Sequence, residues 1–401
     1  MTLSEKYREN YKTHPSFNFK NPELEVDENM IVNFEKNYSD PKLLKRPEEL
    51  KESFYNCVSI CKMIFKNIQN QVFDEKQKIF FSALELAINA YLEEEYILRG
   101  KIIERENFSR DKSDLKRLVE LEQDGYFFGN LENEAVDHIL KISMDQIFEF
   151  RNNVNLGNVT RKDLSVNHGD LVRKISWIVD KQFRKQGIFQ SLSDFFGVQY
   201  DHTGLSLELS TEKSSWWRNK VSDQQPPKTM YAHLDEAYFS PKSIVYLSKV
   251  ESDNGPTSCY PGIYKEFKNN ALKDIVGRVV GNIASNPDLV KYYGAEYHQP
   301  FSSKKFREHF MLIPEIMRFN SHFGWDVQPF SELENYLVGK EKIMIGNPGD
   351  FIVFDGAQLL HRGGLITRGE RLVLQVVFYP KTKKPITIKL KEKIKQRLEG
   401  I

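Results

Sequence analysis

The sequence predicts an α+β fold, a largely helical first half followed by a β-sandwich or barrel of short strands. Before residue 200, apolar residues recur at spacings of three or four through most segments. After residue 200, short runs rich in β-branched and aromatic residues alternate with Gly, Pro, Asn and Asp clusters. The 401 residues are 40% hydrophobic and include 28 Phe and 18 Tyr, which is enough apolar material for a sizeable core. That length suits two domains, or one large domain with an appendage.

Residues 1–40 are polar, broken by Pro15, Pro22 and the run Asn37–Asp40, and read as an extended arm. From Pro47 the residues Leu50, Phe54, Cys57, Cys61, Phe65 and Ile68 form one helical stripe. Cys57 and Cys61 lie four apart on it and read as small core residues rather than a metal or redox pair. Further helices are predicted over 75–98 (stopped by Gly100), 112–123, 131–150, 170–183 and 190–196, with a short strand at Tyr126-Phe127-Phe128. The later strands are Gly204–Leu209, Ser243–Lys249, Asp350–Phe354 and Arg371–Tyr379. The tail 381–401, KTKKPITIKLKEKIKQRLEGI, is basic and reads as a solvated terminal helix or a frayed end.

Lys+Arg 57 against Asp+Glu 56 leaves a net charge of +1, so no global electropositive field argues for nucleic acid. No run approaches the roughly 18 apolar residues of a membrane helix. The first residues, MTLSEKYRENYK, lack the apolar stretch of a secretory signal. Cys57, Cys61 and Cys259 are odd in number and contain no Cys-x-x-Cys pair, so a reduced, cytoplasmic protein is expected.

Two of the nine histidines stand in informative settings. In His233-Leu234-Asp235, residues i and i+2 of an extended chain project to one face, with backbones about 7 Å apart. An imidazole and a carboxylate so placed suit one metal ion, although His-x-Asp alone is common by chance. The second setting is the apolar strand Asp350–Phe354, followed by Asp355-Gly356 and then His361. Arg371 follows His361 by ten residues and opens a strand. A guanidinium at the mouth of a strand bundle can clamp a carboxylate bidentately. Two His and one Asp make the facial triad that leaves positions open on non-haem Fe(II).

His233-x-Asp235 … His361 … Arg371 resembles the Fe(II)/2-oxoglutarate dioxygenases, and within them the phytanoyl-CoA dioxygenase-like group. Three further stretches match. Asn254-Gly255-Pro256-Thr257 followed by Pro261-Gly262-Ile263-Tyr264-Lys265 looks like the family's Asn-Gly-Pro … Pro-Gly-Ser-His-Lys. Gly349-Asp350 … Phe354 … His361-Arg362-Gly363-Gly364 looks like its Gly-Asp … Phe … His-x-x-Gly. Leu121–Phe127 is similar to the helix and strand that begin the family's domain. The resemblance covers about 115–380 and implies a double-stranded β-helix, or jelly-roll, core there, with an insertion at about 270–345 where the interval from Asp235 to His361 is longer than in compact members. Residues 1–114 have no counterpart in it and read from their own pattern as a mainly helical N-terminal region. It implies His233, Asp235 and His361 as iron ligands, Arg371 as the partner of 2-oxoglutarate, and Thr257 as a second hydrogen bond to that cofactor. Arg368 is the rival for the clamp. Fe(II), 2-oxoglutarate and O₂ are the implied cofactors, with a small-molecule or carrier-bound substrate.

Where the family has Ser-His after Pro-Gly, this chain has Ile263-Tyr264, which reads as structural. The insertion holds Lys304-Lys305, Arg307, His309, Arg318 and Trp325, read as a charged face before a substrate wall. Trp216-Trp217-Arg218 suits a pocket wall or a core equally, and Glu208 and Tyr231 receive no role. Because Asp235 keeps a carboxylate where halogenating relatives have a small residue, hydroxylation or a related C–H oxidation is expected. Two other readings stay open: a zinc hydrolase using the same three residues, and a non-catalytic jelly-roll binding protein.

Overall fold

A computed structural model of the chain describes residues 1–38, 47–102, 115–154, 160–163, 169–213, 227–230, 232–235, 239–267, 270–281, 304–318 and 327–383. Trp216-Trp217-Arg218, Tyr231, Trp325 and the tail beyond residue 383 lie outside them.

The N-terminal segment departs from the extended arm expected of it. Helix α1 (Leu3–Thr13) is closed by a capping box in which Thr2 and Glu5 satisfy each other's backbone amides. Its apolar edge, Tyr7 and Tyr11, is buried, and the Tyr11 ring lies 5.3 Å from that of Phe310, far along the chain. Helix α2 (Glu28–Tyr38) follows. Helix α3 (Pro47–Gln71) starts on a proline, as suits a first helical turn, and buries Leu50, Cys57, Cys61, Phe65 and Ile68. Helix α4 (Glu75–Lys101) is capped by Asp74, whose carboxylate accepts from the Lys76 and Gln77 amides. It runs through Gly100, the expected stop, and ends where Ile102 pairs with Thr382 in an antiparallel bridge.

Next come α5 (Leu115–Gln123), β1 (Tyr126–Asn130), α6 (Asn133–Val154), β2 (Thr160–Asp163), α7 (Asp170–Lys185), α8 (Ile188–Phe196) and β3 (Tyr200–Thr211). The second half carries β4 (Lys242–Tyr246), β5 (Thr257–Tyr260), α9 (Ile263–Phe267), α10 (Ala271–Gly281), α11 (Lys304–Phe310) and α12 (Glu332–Lys340). It closes with β6 (Lys342–Met344), β7 (Asp350–Phe354), β8 (Leu360–Gly363) and β9 (Glu370–Pro380).

Among the described residues the strands form two antiparallel sheets. One has six strands in the order β1-β7-β4-β9-β3-β2, and the other has three in the order β6-β5-β8. Alternation along each strand sorts the side chains. On the large sheet, Leu205, Leu207, Leu372, Leu374, Val376, Phe351 and Val353 pack against Ile139, Ile175, Val179, Phe183 and Leu192 of α6, α7 and α8. Ile352 and Phe354 point the other way and meet Cys259 and Met344 of the small sheet. The small sheet's far side supplies Tyr260 and Leu360 to a second helical core, shared with α1 to α4, α10 and α12. The result is four layers, two of helix enclosing two of sheet, and the inner faces of the sheets bound the space that matters for function.

Candidate metal centre

His233 and His361 come together through backbone pairing. His233 donates its amide to the His361 carbonyl at 2.9 Å, and His361 donates back at 3.0 Å. Opposed residues of an antiparallel pair present their side chains on the same face, and the two imidazole centroids are 4.5 Å apart. Leu234, between the ligand-type residues, turns to the opposite face and enters the helical core. Two positions on, Asp235 donates its amide to the Gly356 carbonyl at 2.7 Å, which ties this segment to the turn ahead of β8.

The Asp235 carboxylate is buried between the rings. Its Oδ1 lies 3.8 Å from His233 Nε2, and its Oδ2 lies 3.6 Å from His361 Nε2. One donor atom from each residue falls within 4.8 Å of the others. Gly356 makes room for this: a Cβ there would lie 1.9 Å from Asp235 Oδ2. Asp235 Oδ2 has no hydrogen-bond partner among the described residues. His361 Nδ1 lies 2.8 Å from the Leu359 carbonyl. A carbonyl only accepts, so Nδ1 carries the proton and Nε2 turns a lone pair toward the carboxylate.

Electrostatics keep these groups in metal-binding protonation states. Burial, opposed by the neighbouring Asp235 charge, pushes the His361 imidazole down to about 3, so it is neutral at physiological pH. For Asp235, burial favours the neutral acid, but the Lys242 ammonium outweighs it, and the carboxyl stays well below its usual range. Lys242 Nζ is 2.8 Å from Asp235 Oδ1. The sequence reading missed this lysine. The available signal was its place two residues before Ile244, on the inward face of β4.

Arg371 is buried near the start of β9. It donates Nη1 to the Gly255 carbonyl at 2.5 Å, while its Nε has no hydrogen-bond partner among the described residues. Gly255 sits at φ +81°, and a Cβ there would strike Ile366 at 2.4 Å, so the Asn254–Thr257 turn requires glycine at that position. The turn delivers Thr257 into β5 opposite Gly363, two positions along β8 from His361. The Thr257 amide donates to the Tyr246 hydroxyl at 3.2 Å, and that hydroxyl donates to the Met344 carbonyl at 2.5 Å. Tyr246 also feels the Arg371 charge, so Thr257, Tyr246 and Arg371 form a second polar cluster between the sheets. Arg368, the rival clamp, is exposed and pairs with Asp253 at 2.9 Å.

Arg318 and His309 turn away from the centre. Arg318 donates to the Met311 and Ile313 carbonyls, and the His309 ring lies 4.7 Å from Phe80. Ile263 is buried in the helical core. Glu208 faces Arg161 at 3.4 Å, and its charge also supports that of the buried Arg371.

No family model matches the chain, and no curated protein matches it. Several solved structures are similar. The epimerase SnoN in complex with Fe3+, alpha ketoglutarate and nogalamycin RO is 14% identical over 66% of this chain and 83% of its own, with a TM-score of 0.36. The non-heme alpha ketoglutarate dependent carbocyclase SnoK is 12% identical over 70% and 87%, at 0.34. EctD from S. alaskensis is 14% identical over 71% and 84%, at 0.36. A likeness this loose assigns no activity.

Proposed function

We propose that this chain is a non-haem Fe(II)- and 2-oxoglutarate-dependent oxygenase, built on a jelly-roll core of the phytanoyl-CoA dioxygenase-like kind. The observation that carries the reading is the His233/Asp235/His361 donor set, with Asp235 and His361 buried and His233 half-exposed, in which one Asp235 carboxylate oxygen has no hydrogen-bond partner among the described residues and the His361 Nε2 lone pair faces it. Two nitrogens and one oxygen on adjacent backbone suit a divalent ion with three further positions open. A buried hydrogen-bond donor, Arg371 Nε, is left without a partner among the described residues and suits a carboxylate.

Bound iron supplies the redox chemistry, coupling 2-oxoglutarate and O₂ to the oxidation of a substrate C–H bond with release of succinate and CO₂. The protein's own residues do the rest. Asp235 is ionised and His361 neutral, so neither must lose a proton to bind a cation. The Leu359 carbonyl holds the His361 ring in one tautomer. Arg371 would hold the far carboxylate of 2-oxoglutarate, with Thr257 and Tyr246 beside it. Phe354, whose ring lies 4.8 Å from that of His361, keeps water from this side of the centre. The substrate is a small or carrier-bound molecule, and its oxidation is a hydroxylation or a related C–H reaction. The three separate, buried thiols fit a reducing compartment such as the cytoplasm.

Incubation with Fe(II), ascorbate and 2-oxoglutarate tests this reading. Succinate is expected, slowly without the substrate, and none from His361→Ala. Arg371→Met is expected to raise KM for 2-oxoglutarate at least tenfold. Stoichiometric zinc with no succinate would instead indicate a hydrolase.

A further inference from the structure

Helix α10 belongs to the insertion, yet one of its side chains ends against the backbone of the metal centre. Arg278 is 5% exposed. Its Nη1 donates to the Asp235 carbonyl at 2.7 Å, and its Nη2 donates to the Ala357 carbonyl at 3.3 Å. Those carbonyls lie on the two segments that supply the donor set, the His233–Asp235 stretch and the turn leading to His361. The guanidinium is planar and its donors are fixed in a fork, so both segments are held at one spacing by a single rigid group.

The turn is built to receive it. Asp355 Oδ1 accepts from the Ala357 amide at 3.1 Å, and the Asp355 carbonyl accepts from the Leu359 amide at 2.7 Å. The Leu359 carbonyl in turn orients His361. The Asp355 carboxylate also supplies a countercharge to Arg278. On its other faces α10 is anchored by Leu272, Ile275, Val276 and Val279, buried in the core shared with α2 and α4. A path of direct contacts therefore runs from the helical layer through Arg278 to both sides of the donor set.

We propose that Arg278 is a positioning residue for the metal centre, so that the insertion sets the spacing of Asp235 and His361. The proposal rests on the metal-binding reading of the site. Groups that orient metal ligands from behind cost roughly 10–100-fold in metal affinity when removed. Arg278→Met is expected to weaken Co(II) binding to the metal-free protein by about that factor, and to alter the visible spectrum of the bound ion. Arg278→Lys keeps the charge but offers one nitrogen to two carbonyls, and is expected to fall between Arg278→Met and wild type. Val276→Ala loosens the same helix without touching either carbonyl. It is expected to lower Tm while leaving the Co(II) Kd and spectrum unchanged.

Calorimetric Kd values, Co(II) spectra and metal-free Tm values for the four proteins decide the matter. If Arg278→Met does not fold, Arg278→Lys carries the test alone. Wild-type affinity and spectrum in every folded Arg278 variant would overturn the proposal and leave the metal site standing. An equal loss in Val276→Ala would overturn it too, by assigning the effect to general loosening. Failure of wild type itself to bind Co(II) would overturn the metal reading and the proposal together.

Discussion

Gly356 and Lys242 bracket the Asp235 carboxylate from two sides, and each gives a test at the level of one residue. A Cβ on residue 356 would lie 1.9 Å from Asp235 Oδ2, so Gly356→Ala must displace the carboxylate. At least a tenfold loss of metal affinity is expected by calorimetry, with a Tm close to wild type, and an unchanged Kd would refute the role given to this glycine. Lys242 places an ammonium 2.8 Å from Oδ1, where it competes with a cation for the same carboxylate. Two such charges about 5 Å apart repel by several kcal/mol at an effective dielectric near 20. Lys242→Met is therefore expected to bind divalent metal at least tenfold more tightly. Weaker binding would show that the lysine orients the carboxylate rather than competing for it.

Asp355 adds a pH dependence. Burial pushes its carboxyl up to about 6, against the pull of the Ala357 amide and Arg278. The folded, metal-free protein then holds a proton that the unfolded chain, at about 3.9, gives up. This contribution to stability is complete below the unfolded value and is lost as pH rises through about 6. The stability of wild type relative to Asp355→Asn is expected to improve as pH falls from about 7 to about 5. A difference between the two that stays flat in thermal melts over that range would contradict the assignment.

Among elements, those with a strong period were legible. The stripe of α3 and the β-branched and aromatic runs of β7 and β9 appear in the structure close to where the sequence placed them. The Cys57 and Cys61 pair sits on that stripe as buried thiols. Burial pushes Cys57 up to about 12 and raises Cys61 as well. Iodoacetamide is expected to leave both unmodified in the native protein and to label them after denaturation; native labelling would contradict their place in the core. The N-terminal arm was misread because its helix depends on things a local window undervalues. Thr2 and Glu5 close one turn, and the apolar partner of Tyr11 is Phe310. Gly100 was misread because glycine stops a helix only where the chain must turn left-handed, and α4 continues past it to a strand-like bridge at Ile102.

At the scale of the molecule, helices α1 to α4 share one apolar core with Leu234, Tyr260 and Leu360 on the back of the small sheet. Removing them would bare that face directly behind the His233–His361 pair. A chain starting at residue 115 is expected to aggregate or bind apolar dyes, and a soluble, metal-binding fragment would contradict this account of the helical layer. His233, Asp235 and His361, which the structure groups, stood out in the sequence through the i, i+2 pair taken together with the family resemblance, since His-x-Asp alone is common by chance. Lys242, Gly356 and Arg278 did not, because their contacts exist only once the sheets and α10 are assembled.

The most direct measurement is an anaerobic calorimetric titration of Fe(II), then 2-oxoglutarate, into metal-free wild type and His361→Ala. One ion per wild-type chain is expected, with 2-oxoglutarate binding only to the loaded protein and neither binding to the variant. Equal metal binding by both proteins, or none by wild type, would contradict the joining of His233, Asp235 and His361 in one iron site.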